Sequence, residues 1–319
     1  MTHKELYREL CSNEPSIPIF SRDWWLDAVC GDLWDICLVE KSGQIVASMP
    51  YFMHKRNGMV LITQPQETQT MGPWLRKSEA KYTNWLSQEK DLLTELIDQL
   101  PYYDFFHQNW HHSNTNWLPF YWQGFNQSTL YTYRLPDLSD LEATWSGFRG
   151  NIRRDIRKAS NRFKLKVRTD LSLGDFLKLN LQTFERQDLD LPYSVEFVKR
   201  LDSVCLNKGA RKIFIAEDSQ GRQHAGIYMI WDEQSAYYLM GGGDPELRTS
   251  GATSLCMWEA IKYAATVTKS FDFEGSMIEP LERFFRGFGA IQTPYFSITK
   301  TPSRLLRAKK CLSEVLKRS

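Results

Sequence analysis

From Gly241 to Ser254 the chain reads GGGDPELRTSGATS, and these residue types suit the binding of an anion. Gly241, Gly242 and Gly243 follow a strand-like run at 236–240, and three glycines read as a turn that a ligand or another backbone can approach closely. An apolar helix is expected over 254–265. The first N–H groups of a helix have no partner inside it, and together with the helix dipole they favour a phosphate. Arg248 would supply a counter-charge and Thr253 or Ser254 a hydroxyl, with Thr249 and Ser250 also in the candidate site. Gly251 would let a pyrophosphate come close to the main chain, with Ala252 next to it in the candidate site. The spacing is neither a Walker A sequence nor GxGxxG, so neither P-loop nor Rossmann chemistry is implied. A plain turn before a helix is the alternative reading.

A second group of residues could move protons. In the run FDFEG at 271–275, strand alternation puts Asp272 and Glu274 on one face and two phenylalanines on the other. Either carboxylate can be a base, or both can orient a substrate amine, or both can be partnered as structure. Tyr238, one strand earlier, can hydrogen-bond a carbonyl or a leaving group, or simply pack in the core. Glu185 and its neighbours Arg186, Gln187, Asp188 and Asp190 can line a cleft rim or form an ordinary exposed turn. No Ser-His-Asp or Cys-His spacing supports a covalent intermediate, so direct transfer between two bound reactants is expected. The six cysteines form no CxxC pair and the six histidines show no ligand spacing, so no metal site is expected.

The elements that position these groups follow from periodicity. Residues 139–160 carry apolar side chains at 141, 145, 148, 152, 156 and 159, one helical stripe, with a bend expected at Gly147 and Gly150. From Arg149 to Arg168 there are nine basic residues and one acidic residue. That basic surface is either a solvated face or an anion-facing one in which Arg153 and Arg157 hold substrate. Further helices are expected at 21–30, 88–99, 173–185 and 194–207. Strands are expected at 34–39, 44–52, 59–62, 102–106, 117–121, 128–135, 212–217, 224–231 and 236–240, with a loop at 107–116. The three strands from 212 to 240 echo the three from 34 to 62. A division at 135/136 follows, giving units 1–135 and 136–319.

With 42% hydrophobic and 24% charged residues, the 319-residue chain has the composition of a folded globular protein. A formal net charge of +2 argues against a general nucleic-acid binder, and no DNA partner is expected. The N-terminal MTHKELYREL lacks a secretory core, no apolar run is long enough for a membrane span, and a reducing cytoplasm is the expected setting.

The run from Arg248 through Gly251 to Thr253 resembles the acyl-CoA signature of the GNAT N-acyltransferase superfamily. In that signature an Arg or Gln, a Gly three residues on, and a final Gly or Ala cradle a pyrophosphate at a helix start. Thr253 departs from it in the last place. The stretch FFRGFGA at 284–290 is similar to the family's later motif. The usual tyrosine, a general acid toward the leaving thiolate, falls on Phe285, and the usual asparagine falls on Ile278. The helix NIRRDIRKA, the strand FDFEGS and the ending LERFFRGFGA…PYFSI resemble the FemAB-like branch over almost the whole chain, without the long coiled-coil arm of some members that use tRNA.

The resemblance implies an α/β fold of two tandem GNAT-like domains, each a mixed central sheet flanked by helices. It implies an N-acyltransferase that passes an acyl group from acyl-CoA, acetyl-CoA first, to an amine of a small or cell-envelope-related acceptor. No tightly bound cofactor is implied. The donor would be held by residues 248–254, the acceptor by Arg153, Arg157, Glu185 and Gly242, and the chemistry would fall to Glu274, Asp272 and Tyr238. A peptidoglycan aminoacyltransferase fed by charged tRNA and an inactive ligand-binding relative are the alternatives.

Overall fold

The computed structural model describes residues 1–275 and 277–307. Ser276, the last residue of the FDFEGS run, and Cys311 lie outside the described residues. The chain divides into two compact units, one of residues 1–130 with 294–319, the other of residues 131–293. The expected division at 135/136 differs in two respects. The change of unit falls inside a strand, and the C-terminal strand pairs with the first unit.

The first unit opens with α1 (His3–Asn13), closed by a Thr2–Glu5 capping box, and α2 (Asp23–Cys30). Strands β1 (Trp34–Lys41), β2 (Gln44–Arg56) and β3 (Met59–Thr63) follow, with a short β4 (Trp74–Leu75) beside β2. Helix α3 (Tyr82–Asp98) then leads to β5 (Phe105–Asn109) and to α4 (Leu118–Trp122). Residues 117–121 were expected as a strand. Pro119 in the first turn suits a helix start, and α4 lays Phe120 against Trp110 and Phe125. Part of the expected loop at 107–116 is the end of β5. Past β3 the chain folds back on that end: Asn109 donates its N–H to Gln64 Oε1 at 3.0 Å, and its carbonyl accepts from the Met71 N–H at 2.6 Å.

Strand β6 (Asn126–Leu135) carries the chain into the second unit. There α5 (Leu141–Gly147) and α6 (Gly150–Arg157) are separate helices followed by a wide π-type turn, Lys158–Arg162. The break expected at Gly147 and Gly150 is present. Phe148 and Arg149 are extended between the two helices, which lets Phe148 reach the rings of Trp258 and Phe288. Next come β7 (Lys166–Arg168), α7 (Leu173–Glu185), α8 (Val195–Asn207), β8 (Arg211–Glu217), β9 (Gln223–Trp231) and β10 (Ser235–Gly243). The unit continues with α9 (Ala252–Val267), β11 (Ser270–Asp272) and α10 (Glu279–Arg286), and β12 (Ile291–Lys300) leaves it.

Both units pair their strands in the same order. In the first, β1–β2 and β2–β3 are antiparallel, β3–β5 is parallel across α3, and β5–β12 is antiparallel. In the second, β8–β9 and β9–β10 are antiparallel, β10–β11 is parallel across α9, and β11–β6 is antiparallel. One face of the second sheet packs on α6 and α9 through Ile152, Ile156, Met257, Ala260 and Phe271. The other face carries α7, with Phe176 against Tyr228.

The three glycines expected as a turn are the last residues of β10, with Gly242 opposite Gly226 of β9. A methyl group on Gly242 would overlap the backbone of Leu179 and Asn180 in α7. Replacing Gly242 by Ala should therefore cost about 3 kcal/mol, the upper range of overpacking. Urea unfolding of Gly242→Ala beside Gly243→Ala, which has more room, checks this; equal midpoints would contradict it.

Candidate active site

The end of β10, the end of α7 and the start of α9 enclose a cleft of about 200 Å³. It is lined by Thr183 and Arg186 of α7, Tyr238 and Gly241–Gly243 of β10, and Arg248 and Thr253 before and within the first turn of α9. His224, Asp244 and Pro245 complete it. Strand β11 stops at Asp272, opposite Tyr237, so β10 runs on without that neighbour. Side chains of α7 take over its hydrogen bonding. Asn180 Nδ2 donates to the Gly241 carbonyl at 2.8 Å, and the Gly243 N–H donates to Thr183 Oγ1 at 2.9 Å. Tyr193 fixes Asn180 in turn by donating to its Oδ1 at 2.8 Å.

The hydroxyl of Tyr238 lies over Gly241, where any side chain would overlap it. Its ring meets Phe285 edge-on at 5.9 Å between centroids. Burial, then the proximity of Cys256 and of Glu274, pushes the hydroxyl up to about 12. It is therefore protonated at neutral pH and able to donate. Phe285 is buried against Phe273 and Phe284, so the hydroxyl that the family motif carries there is absent, and Tyr238 is the hydroxyl beside it.

Of the residues expected to hold a donor, Arg248 and Thr253 line the cleft. Neither Arg186 nor Arg248 has an ion-pair partner among the described residues. Thr249 is exposed in the short turn Arg248–Ser250. Ser250, Ala252 and Ser254 are buried, and the Ala252 N–H donates to Ser250 Oγ at 3.3 Å. Gly251 caps α9 in the left-handed region at φ 84°. Its open side is filled by the backbone carbonyl of Asp155, so the close approach it permits is that of α6.

The basic helix does not reach the cleft. Arg153 leans toward the Ser146 carbonyl, Arg157 stacks over Trp145 at 5.9 Å, and Lys158 pairs with Asp155 at 2.9 Å. Glu185 is exposed at the end of α7 and outside the lining, although Arg186 beside it belongs to the cleft. Gly242 lines the cleft while packing against α7. Thr183 and His224 were not expected there. Nothing in their spacing points to the cleft, because the pairing of β9 with β10 and the packing of α7 bring them in.

Asp272 and Glu274 do not share a strand face. Asp272 ends β11, fully buried, accepting from the Thr132 hydroxyl and from the Glu274 N–H at 2.7 Å, with Arg134 at 3.7 Å. Glu274 sits just past the strand at φ 57°, half-buried, followed by Gly275 at φ 57°. The turn brings Gly275 against the backbone of Tyr131 and Thr132, where a side chain would overlap. Asp272 thus ties β11 to β6, while Glu274 is the carboxylate near Tyr238. Among the described residues no group of His, Cys, Asp or Glu is placed to hold a metal ion, and no helix is long and apolar enough to cross a membrane.

Residues 146–277, which contain the cleft and most of the second unit, match the model described as acetyltransferase (GNAT) domain. The fold is that of the GNAT acetyltransferases. The structure of FemX is similar over 93% of this chain and 96% of its own, with a TM-score of 0.69 and 13% identity. L-PGS from Bacillus licheniformis is similar over 98% and 97%, with a TM-score of 0.53 and 12% identity. A tandem GNAT protein from the clavulanic acid biosynthesis pathway is similar over 93% of both chains, with a TM-score of 0.51 and 9% identity. No curated protein matches the chain. Within the GNAT fold the cleft lies where the parallel pair β10–β11 ends.

Burial raises the Asp272 carboxyl to about 6 from 3.8, against the Thr132 hydroxyl, Arg134 and the Glu274 N–H. The folded protein therefore holds this proton more tightly than the unfolded chain. The stability from this group is full below about pH 4 and is lost as pH rises through 6. Asp272→Asn, which cannot titrate, should gain on the wild type by about 2 kcal/mol between pH 4 and pH 6.5. Denaturant unfolding of both proteins at the two pH values measures this, and a constant difference would refute it.

Proposed function

We propose that this chain is an acyltransferase built of two tandem GNAT-like units, with the donor cleft in the second, and that it passes an acyl group from acyl-CoA to the amine of a small or cell-envelope-related acceptor. One observation carries the reading. Two unpaired arginines, Arg186 and Arg248, meet the start of α9 in one cleft with a protonated tyrosine hydroxyl. The arginines and the helix start suit the donor's phosphates. The shared strand-pairing order of the two units supports the tandem arrangement. Because acyl-CoA is an intracellular metabolite, the reading carries a cytoplasmic site of action.

In this reading the amine attacks the thioester carbonyl directly. The new C–N bond forms, the C–S bond breaks, and Tyr238 gives its proton to the leaving thiolate. Glu274, close enough to influence Tyr238, takes the proton released by the amine. Tyr238 thereby fills the part that Phe285 cannot play. A second reading, charged tRNA as donor, draws on Arg149, Arg154 and Arg157, which are exposed on and just before α6.

Calorimetric titration with CoA, acetyl-CoA and charged tRNA tests the donor. CoA and acetyl-CoA should bind saturably, and Arg248→Ala should weaken both about ten-fold, the loss of one charge-assisted contact. Saturable binding of charged tRNA alone would favour the second reading, and binding of none of the three would mark an inactive relative. Tyr238→Phe should lower kcat about 100-fold, the low end for general acid catalysis, with the donor KM little changed. An unaltered kcat in single-turnover assays would remove Tyr238 from the chemistry.

A further inference from the structure

The parallel strands β10 and β11 run toward the same end of the sheet, and β11 stops level with Tyr237. The segment that leaves β11 and the start of α10 therefore stand at the end where β10 and α9 form the cleft. That segment first follows β6, with the Phe273 N–H donating to the Tyr133 carbonyl at 2.9 Å. Helix α10 then brings Phe285 edge-on to Tyr238. Residues three, four and seven apart share a helix face, so Ile278, Leu281 and Phe285 form one stripe. Phe285 is buried at its foot, Leu281 is 45% exposed, and Ile278 at the N-cap is 61% exposed, with Met277 next to it at 64%. The charged residues of α10 lie on its other side and pair among themselves, Glu279 with Arg283 at 3.2 Å and Glu282 with Arg286 at 2.6 Å. An apolar track thus begins at Tyr238 and comes to the surface at the start of α10, about 10 Å along the helix. Apolar side chains scattered singly over a surface are ordinary, whereas a contiguous set that leads out of a cleft marks a place for a ligand.

We propose that the acyl group this protein transfers is an apolar chain longer than acetyl, and that Leu281 and Ile278 select it. This deepens the donor reading and rests on it. In that reading Arg186 and Arg248 take the donor's phosphates and Tyr238 faces the leaving sulfur. The acyl chain is bonded to that sulfur at the end of the donor opposite the phosphates. The track starts at Tyr238 and belongs to α10, which carries neither arginine. The bond changes are those already drawn: the amide forms, the thioester breaks and the thiol leaves. The product is an amide with an apolar tail.

The test titrates the whole chain with acetyl-CoA and with octanoyl-CoA in a calorimeter. Octanoyl-CoA should bind about 30-fold more tightly, the worth of covering two or three of its six added methylenes on a track open to water on one side. The double variant Ile278→Ser, Leu281→Ser should cut that preference to about five-fold or less. Both replaced side chains are exposed, so their loss should cost the fold little. Arg248→Ala should weaken both thioesters and leave their ratio unchanged. In wild-type protein with 13C-labelled isoleucine methyls, the Ile278 resonance should move with octanoyl-CoA and stay in place with acetyl-CoA. That measurement decides the matter if the double variant does not fold. Equal affinities, a preference that survives in the double variant, or an unmoved Ile278 resonance would overturn the proposal and leave the track to the acceptor. If acetyl-CoA binds and the preference is absent, this proposal alone falls. If neither thioester binds, the donor reading falls and this proposal falls with it.

Discussion

The early end of β11 governs the second unit. Once that strand stops opposite Tyr237, the last residues of β10 have a backbone edge with no strand beside it. Buried N–H and C=O groups must find partners, and leaving one unpaired costs roughly 1–3 kcal/mol. Asn180 and Thr183 of α7 satisfy two of them. They reach the strand only because α7 lies almost on the backbone of β10, and glycine at 242 and at the facing 226 makes that distance possible. Glycine at 241 serves the other side, leaving room for the Tyr238 hydroxyl. The cleft is thus a by-product of a shortened strand, a helix brought close enough to repair it, and three positions without side chains.

The same geometry sets the electrostatics. Arg186 ends the helix that does the repair, and Arg248 stands in the turn between β10 and α9. Both arginines line the same cleft. The acidic residues nearby are largely committed elsewhere. Asp155 pairs with Lys158, and Asp218 with Arg222 and His224. Asp244 accepts from the Glu246 N–H at 2.8 Å. Positive charge therefore prevails in a small volume of a chain whose overall charge is close to neutral.

Regular elements were legible where periodicity was strong. The expected helix at 173–185 coincides with α7, and the break at Gly147 and Gly150 is real because Phe148 needs an extended backbone to enter the core. Local pattern failed where tertiary contact decides. The segment around Phe120 is apolar throughout and gives no alternation, so Pro119 and the pocket beside Trp110 settle it as a helix. A run of glycines looks the same whether it turns or carries a helix on its face. Asp272 and Glu274 alternate in sequence, yet the turn at Glu274 and Gly275 ends the strand between them. In the cleft, Arg248, Thr253 and Tyr238 could be found by chemical type. Thr183 and His224 could not, since strand pairing and helix packing recruit them.

The hydrogen bonds of Asn109 give the repeated pairing order an asymmetry. In the first unit the chain after β3 returns through Gln64 and Met71 and occupies both backbone groups of that residue. The corresponding stretch of the second unit goes away into a helix and leaves an open space. A molecule seeking the same position in the first unit would have to displace a loop already bonded there, at a cost of about 1 kcal/mol for each bond. One arrangement of strands thus serves as a sealed wall in one half of the chain and as an open doorway in the other.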